Sequence, residues 1–215
     1  MVTGDGAVLV GITGSIRAVL FDYGGVLADE GFRHGLEALA KEQGLEVADM
    51  RGEGMRAVYD SGFVLGRGSV SDFWALLRQR TGLVGDDASL THAILSRFVL
   101  RPAMMSLVKR LRAAGVITGI LSDQTNWLDR LNDRDGFFSA FDRIYNSYYL
   151  GKGKQDPTLF ADVASDLGLS PTNILFVDDD EGNVQRAQMA GFQAIQYVDQ
   201  PGLMAAMARV GIKFK

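Results

Sequence analysis

Short apolar runs separated by longer amphipathic stretches set the rhythm of this chain. Ala18 to Phe21 is apolar throughout and bounded by Arg17 and Asp22, and similar segments follow at Val116 to Leu121, Arg143 to Tyr145, Ile174 to Val177 and Ala194 to Val198. Short runs of this kind suit strands covered on both faces. Each is followed by helix-like sequence. Pro102 opens a helical pattern with Met104, Leu107, Val108 and Leu111 at i, i+3, i+4, i+7 spacing, and Gly115 supplies the stop. Asp156-Pro157 reads as an N-cap followed by a proline at the first helical position, starting a helix through Leu159 and Val163 to Gly168. Strands alternating with helices predict an α/β fold, a parallel sheet covered by helices on both faces.

Residues 30 to about 100 break that rhythm. Leu36, Leu39 and Ala40 mark a helix ended at Gly44; Phe73, Leu76 and Leu77 mark another, after Ser71 and before Gly82; a third runs from about Ser89 to Phe98. A helical block between the first and second sheet strands predicts an inserted all-helical cap over 29–99, with a hinge just after Val26. The core is then expected over 17–28 and 100–215, with 1–16 as an N-terminal extension.

Composition narrows the function classes. The 215 residues are 47% hydrophobic, enough for one large domain or a domain carrying a sizeable insertion. A net charge of -4 without any basic block argues against nucleic acid as a partner. No run approaches the ~18 apolar residues of a membrane span. The first residues lack a basic segment and include Asp5, unlike a secretory signal, so the expected location is cytoplasmic, as a monomer or homodimer. The chain has no cysteine, which removes disulfides and thiolate metal sites.

Candidate chemistry sits at the ends of the predicted strands. Asp22 precedes Tyr23-Gly24-Gly25; Ser122-Asp123 follows Gly119-Ile120-Leu121; Lys154 lies in Gly151-Lys-Gly-Lys154-Gln-Asp-Pro157; Asp178-Asp179-Asp180 follows Ile174-Leu-Phe-Val177. In a parallel sheet the carboxyl ends of the strands share one edge, so these groups converge although far apart in sequence. Together they suit a phosphate and a divalent metal. Asp22, Asp178 and Asp179 are hard oxygen ligands of the kind Mg²⁺ takes alongside water and substrate phosphate. A carboxylate approaching a phosphate dianion meets a repulsion of about 4 kcal/mol per charge pair at 4 Å and an effective dielectric of 20. Mg²⁺ and Lys154 would offset it, while the Ser122 hydroxyl and the amides of Gly24 and Gly25 bind phosphate oxygens.

The order and spacing of these motifs resemble the haloacid dehalogenase-like superfamily from Arg17 to Val198. The resemblance rests on Phe21-Asp22-Tyr-Gly-Gly-Val26, Leu121-Ser122-Asp123, Ser147 to Pro157 around Lys154, and Val177-Asp178-Asp179-Asp180-Glu-Gly-Asn183 with its Val-Gln-Arg-Ala187 tail and Gly191. It implies a Rossmann-like core, with Asp22 as the nucleophile that becomes an aspartyl-phosphate. Lys154 would steady the nucleophile and the phosphoryl group, with Ser122 and Asp123 at the phosphate. The implied Mg²⁺ ligands are Asp22, the Gly24 carbonyl and Asp179, with Asp178 in support; Asp179 is preferred because the family's main acid lies four residues before the asparagine matching Asn183.

Three positions depart from the family pattern. Phosphatases of the superfamily usually carry a second aspartate two residues after the nucleophile, as general acid and base, and here that residue is Gly24. Such help is worth about 10²- to 10⁴-fold, or roughly 3 to 5 kcal/mol of barrier. A subset with a similar Asp-x-Gly-x-Val motif, resembling sugar-1-phosphate phosphatases, is nonetheless hydrolytic. Asp123 stands where asparagine is commoner, adding negative charge near phosphate unless it is paired. Gln155 replaces the usual proline. The leading expectation is a Mg²⁺-dependent phosphohydrolase of a small phosphorylated metabolite. The alternatives are a catalytically weak member that binds a ligand or partner, and a 2-haloacid dehalogenase. Asp180 is expected to cap the following helix, Trp74 to lie in the cap core, and His34 and His92 to stand outside the chemistry.

Overall fold

The computed structural model describes residues 10–12 and 16–214. Of the expected N-terminal extension, residues 1–9 and 13–15 lie outside the described residues. In chain order the elements are β1 (Val10–Ile12), β2 (Ala18–Phe21), α1 (Gly31–Gln43), α2 (Val47–Asp60), α3 (Val70–Thr81), α4 (Asp87–Leu95), α5 (Pro102–Ala113), β3 (Ile117–Ser122) and α6 (Trp127–Asp135). There follow β4 (Arg143–Asn146), α7 (Ser147–Leu150), α8 (Leu159–Leu167), β5 (Ile174–Asp178), α9 (Glu181–Met189), β6 (Gln193–Gln196), α10 (Gln200–Arg209) and β7 (Ile212–Phe214).

Five strands form one parallel sheet in the order β4-β3-β2-β5-β6. β2 is central, and all four of its residues are buried, as expected for a strand covered on both faces. Alternation along it feeds two cores. Val19 and Phe21 join Ile120, Leu175 and Val177 in a cluster with Leu107 and Leu111 of α5, Leu128 and Leu131 of α6, and Leu203 and Met207 of α10. Ala18 and Leu20 face the other way, with Phe176, against Phe160 and Val163 of α8 and Ala187 of α9. Phe21 is in register with Ile120 and Val177, so the next residue, Asp22, stands level with Leu121 and Asp178. This register gathers the polar strand ends.

The block between β2 and α5 is helical. Its α1 to α4 share the first cluster through Leu36, Met50, Phe73, Trp74 and Ile94, so the block and one sheet face enclose continuous apolar packing. Trp74 is buried there and its indole N–H donates to Thr91 Oγ1 at 2.9 Å. The two connections cross at Ala28 and Leu100, which form an antiparallel bridge. Asp29 N–H donates to Val99 O and Arg101 N–H to Leu27 O, both at 2.9 Å.

Three local readings need correction. The helix expected from Asp156-Pro157 begins at Leu159, because Asp156 closes a turn instead: its Oδ1 accepts from Thr158 N–H at 2.9 Å and Thr158 Oγ1 at 2.7 Å. α2 escaped the periodicity because its buried face is Met50, Gly54, Ala57 and Val58, and a glycine carries no apolar signal. The antiparallel pair β1–β7, set apart from the main sheet, was also not anticipated. No helix among the described residues is long and apolar enough to cross a membrane.

Two glycines test the packing of the helical block. A Cβ on Gly35 would lie 2.7 Å from the Ile94 Cα on α4, whereas one on Gly52 would meet only the flexible end of Arg56, at 3.3 Å. Alanine gains about 1 kcal/mol of helix propensity over glycine at either site. Gly52→Ala is expected to stabilise by about 0.5–1 kcal/mol, and Gly35→Ala to destabilise by about 1–3 kcal/mol through overpacking. Urea denaturation midpoints check both signs.

Candidate active site

The expected polar strand ends meet at one edge of the sheet. Asp22 is fixed by its own N–H, which donates to Val177 O at 2.8 Å. Ser122 Oγ donates to Asp22 Oδ1 at 2.5 Å, and Lys154 Nζ lies 2.8 Å from the same oxygen. No hydrogen bond among the described residues ends on Asp22 Oδ2. One oxygen of the carboxylate is therefore clamped while the other is open to the cleft.

Lys154 is the buried pivot of this arrangement, with its side chain only 1% exposed. Its ammonium bridges Asp22 and Asp178 Oδ2, the latter at 2.6 Å, and lies 5.4 Å from the centre of the Phe176 ring. Burial alone disfavours the ammonium, but Asp22, Asp178 and Asp123 together outweigh it and hold the Lys154 pKa above its ordinary value. For Asp22, burial is the largest influence and raises the pKa, with Asp178 adding to the rise and Lys154 and Ser122 opposing it.

Asp178 and Asp179 divide the work. Asp178 accepts from Lys154, from Asp180 N–H at 2.8 Å and from the Asn183 amide at 3.2 Å. Asp179 receives no hydrogen bond at its side chain among the described residues, and its pKa is raised by burial and by Asp178, with Arg33 opposing. Its carboxylate lies hard against Gly25, whose φ is +80° and on which a Cβ would fall 2.4 Å from Asp179 Oδ2. Only glycine fits there without displacing the acid. Oxygens of Asp22, Asp178 and Asp179 lie within 4.8 Å of one another, an all-carboxylate set whose chemistry fits Mg²⁺. Asp180 caps α9 by accepting from Asn183 N–H at 2.9 Å.

The extra charge at Asp123 is compensated. Its Oδ1 accepts from Lys154 N–H at 2.9 Å and its Oδ2 from the Tyr59 hydroxyl at 2.8 Å. The side chain that was expected at the phosphate thus braces the lysine loop and ties α2 to the sheet edge. Gly24 takes a bridge with Ala28, and a Cβ on it would meet Phe98, the Gln124 amide and Glu30 Oε1 at 3.5, 3.7 and 3.8 Å, all ordinary contacts. Gln155 is exposed at the rim, as are His34 and His92 elsewhere on the surface.

A cavity of about 220 Å³ opens over Asp22, Gly24, Lys154 and Asp179, roofed by Phe32, Met55, Val58 and Tyr59 and walled by Trp127. Glu30, Arg33, Gln124 and Tyr59 also line it, and none was singled out from the sequence. Arg33 and Tyr59 lie on helices, where spacing reports which face packs and not which side chain overlooks a cleft, and Gln124 lies in the loop after β3, where no periodicity applies. Glu30 had one legible cue, as an acid at the start of a helix: its Oε2 accepts from Arg33 N–H at 2.8 Å. Burial raises its pKa against the opposing influence of Arg33.

Lys154→Met would leave Asp22 and Asp178 buried without their cation. It is expected to cost about 3–5 kcal/mol of stability at neutral pH, and adding Asp178→Asn to recover part of that loss, as read from a double-mutant cycle in urea.

Solved structures of other proteins resemble this chain. An HAD family enzyme from Bacteroides thetaiotaomicron, in complex with magnesium and inorganic phosphate, is 21% identical, with a TM-score of 0.66 over 85% of this chain and 94% of that one. A predicted HAD-like family hydrolase from Porphyromonas gingivalis is 23% identical, with a TM-score of 0.66 over 91% and 98%. The L-2-haloacid dehalogenase of Xanthobacter autotrophicus, with chloropropionic acid covalently bound, is 21% identical, with a TM-score of 0.64 over 90% and 83%. These likenesses establish a shared fold. The family model of haloacid dehalogenase-like hydrolases matches residues 16–191, a span holding four of the five parallel strands and every member of the carboxylate–lysine cluster, and the chain belongs to that family.

Proposed function

We propose that this hydrolase is a Mg²⁺-dependent phosphohydrolase of a small phosphorylated metabolite, acting through a covalent aspartyl-phosphate on Asp22. The observation that carries the reading is the asymmetric clamp on Asp22, with Oδ1 held by Ser122 and Lys154 and Oδ2 open beside a three-carboxylate cluster. Asp22, the Gly24 carbonyl and Asp179 would hold Mg²⁺, with Asp178 in support, and the ion supplies charge neutralisation for the phosphate dianion. Lys154 holds a positive charge against Asp22 Oδ1, the carboxylate oxygen opposite the one that takes the phosphoryl group, and so steadies the nucleophile. The Ser122 hydroxyl and the amides of Gly24 and Gly25 bind the remaining phosphate oxygens. Residues 29–99 act as a cap, covering the leaving group with Phe32, Met55, Val58 and Tyr59 and excluding water while the phosphoryl group transfers.

The magnesium and phosphate complex of the Bacteroides enzyme supports this chemistry on the same fold. The Xanthobacter dehalogenase, with chloropropionic acid covalently bound, marks the rival, in which Asp22 would attack carbon. Asp178 and Asp179 favour the phosphoryl reading, because displacement of halide has no need of clustered carboxylates beside the nucleophile.

Asp22→Asn and EDTA are each expected to lower turnover of 4-nitrophenyl phosphate by at least about 10³-fold, with Mg²⁺ reversing only the EDTA effect. Chloride release from 2-chloropropionate without Mg²⁺ would instead install the dehalogenase reading. Negligible turnover of sugar phosphates, nucleotides and phospho-acids, with phosphate and metal still bound, would install a binding role. Mg²⁺ at a hundred times its Kd is expected to raise the melting temperature by roughly 5–10 °C, and Asp179→Asn to shrink that shift.

A further inference from the structure

Gly24 removes the side chain that would lie beside the nucleophile, yet the space it leaves is faced by another acid. A Cβ on Gly24 would sit 3.8 Å from Glu30 Oε1, and Gly24, Glu30 and Asp22 line the same cavity. Glu30 is held in place by one oxygen only. Its Oε2 accepts from Arg33 N–H at the start of α1, while no hydrogen bond among the described residues ends on Oε1, the oxygen that approaches Gly24.

On the phosphohydrolase reading Asp22 and Asp179 serve as nucleophile and metal ligand, and the remaining acids of the cavity and its lysine are committed elsewhere. Asp123 is taken up by Lys154 N–H and Tyr59, whose hydroxyl donates to it. Asp180 caps α9, and Lys154 is locked between two carboxylates. Arg186 Nη1 donates to Asn183 Oδ1 at 2.8 Å. Both histidines are exposed and outside the cavity.

Resting on the phosphohydrolase reading, we propose that Glu30 is the general acid and base of the reaction, reaching from the N-cap of α1 to the position a side chain at Gly24 would serve. In the first step Asp22 Oδ2 forms a bond to phosphorus as the bond from phosphorus to the leaving oxygen breaks, and the Glu30 carboxyl proton passes to that oxygen, releasing an alcohol. In the second, Glu30 carboxylate takes a proton from water while the water oxygen bonds to phosphorus. The bond between phosphorus and Asp22 breaks, inorganic phosphate leaves, and Glu30 is again protonated. Phosphate ester and water are consumed, and alcohol and phosphate are formed.

The test compares wild type, Asp22→Asn and Glu30→Gln with Mg²⁺ on 4-nitrophenyl phosphate, whose leaving group needs no proton, and on glycerol phosphate, whose leaving group does. Glutamine keeps an oxygen to accept from Arg33 N–H, so the helix start is retained. Glu30→Gln is expected to lower kcat on glycerol phosphate by about 10²- to 10⁴-fold. On 4-nitrophenyl phosphate it is expected to release a burst of one nitrophenolate per enzyme and then turn over slowly, as the aspartyl-phosphate waits for a base. Turnover within threefold of wild type on both substrates overturns the assignment of Glu30. Equal loss on both without a burst also overturns it, since that marks a structural role. Either result leaves the phosphohydrolase reading standing if wild type is active and Asp22→Asn is not; an inactive wild type removes both.

Discussion

A single buried cation holds this site together. Three carboxylates converge where β2 and β5 end, and without Lys154 two of them would face each other in a water-poor pocket. A buried ion pair is costly to assemble, because each charge gives up its hydration, and it is retained where geometry and further hydrogen bonds compensate. Here they do: Asp178 is fully buried and also takes the Asp180 amide and the Asn183 side chain. The lysine loop is held in turn by Asp123, so the cation's position is set through its backbone as well as through its charge. The packing of the sheet serves this constraint, since a one-residue slip of β5 against β2 would carry Asp178 away from Lys154.

From that pivot the division of labour follows. Lys154 and Ser122 occupy one oxygen of Asp22 and orient the other, and the absence of a side chain at Gly25 leaves room for the Asp179 carboxylate. The sheet edge thus supplies a rigid half-site of charged groups. The helical block supplies the other half, mostly apolar, with Glu30, Arg33 and Tyr59 as its polar members.

The sheet edge was legible in the sequence because Asp22, Ser122 and the Asp178-Asp179 pair end or directly follow short apolar runs, and a buried parallel strand writes that pattern plainly. Lys154, in the loop beyond β4 and α7, was legible from the motif around it rather than from a strand end. Contacts that bridge distant segments were not legible. The charge of Asp123 looked like a liability until Tyr59, 64 residues away, was found donating to it. α2 was hidden because a glycine serves as one of its packing positions, and β7 because its partner lies at the opposite end of the described chain. Glu30 was obscured for a different reason: an acid at a helix start is fully accounted for by capping, and nothing local tells that its second oxygen faces a cleft.

The crossing at Ala28 and Leu100 has a mechanical meaning. Two connectors bonded to each other behave as one ribbon, and Arg101 fastens that ribbon to the sheet edge through the Gly25 carbonyl, at 2.5 Å, and to Asp29. The block is fastened to the same edge a second time through α2, whose Tyr59 hydroxyl donates to Asp123. Two separate ties, one through the connectors and one through α2, hold the helices on the edge that carries Asp22, so the width of the cleft is set by bonds at two places rather than by apolar packing alone.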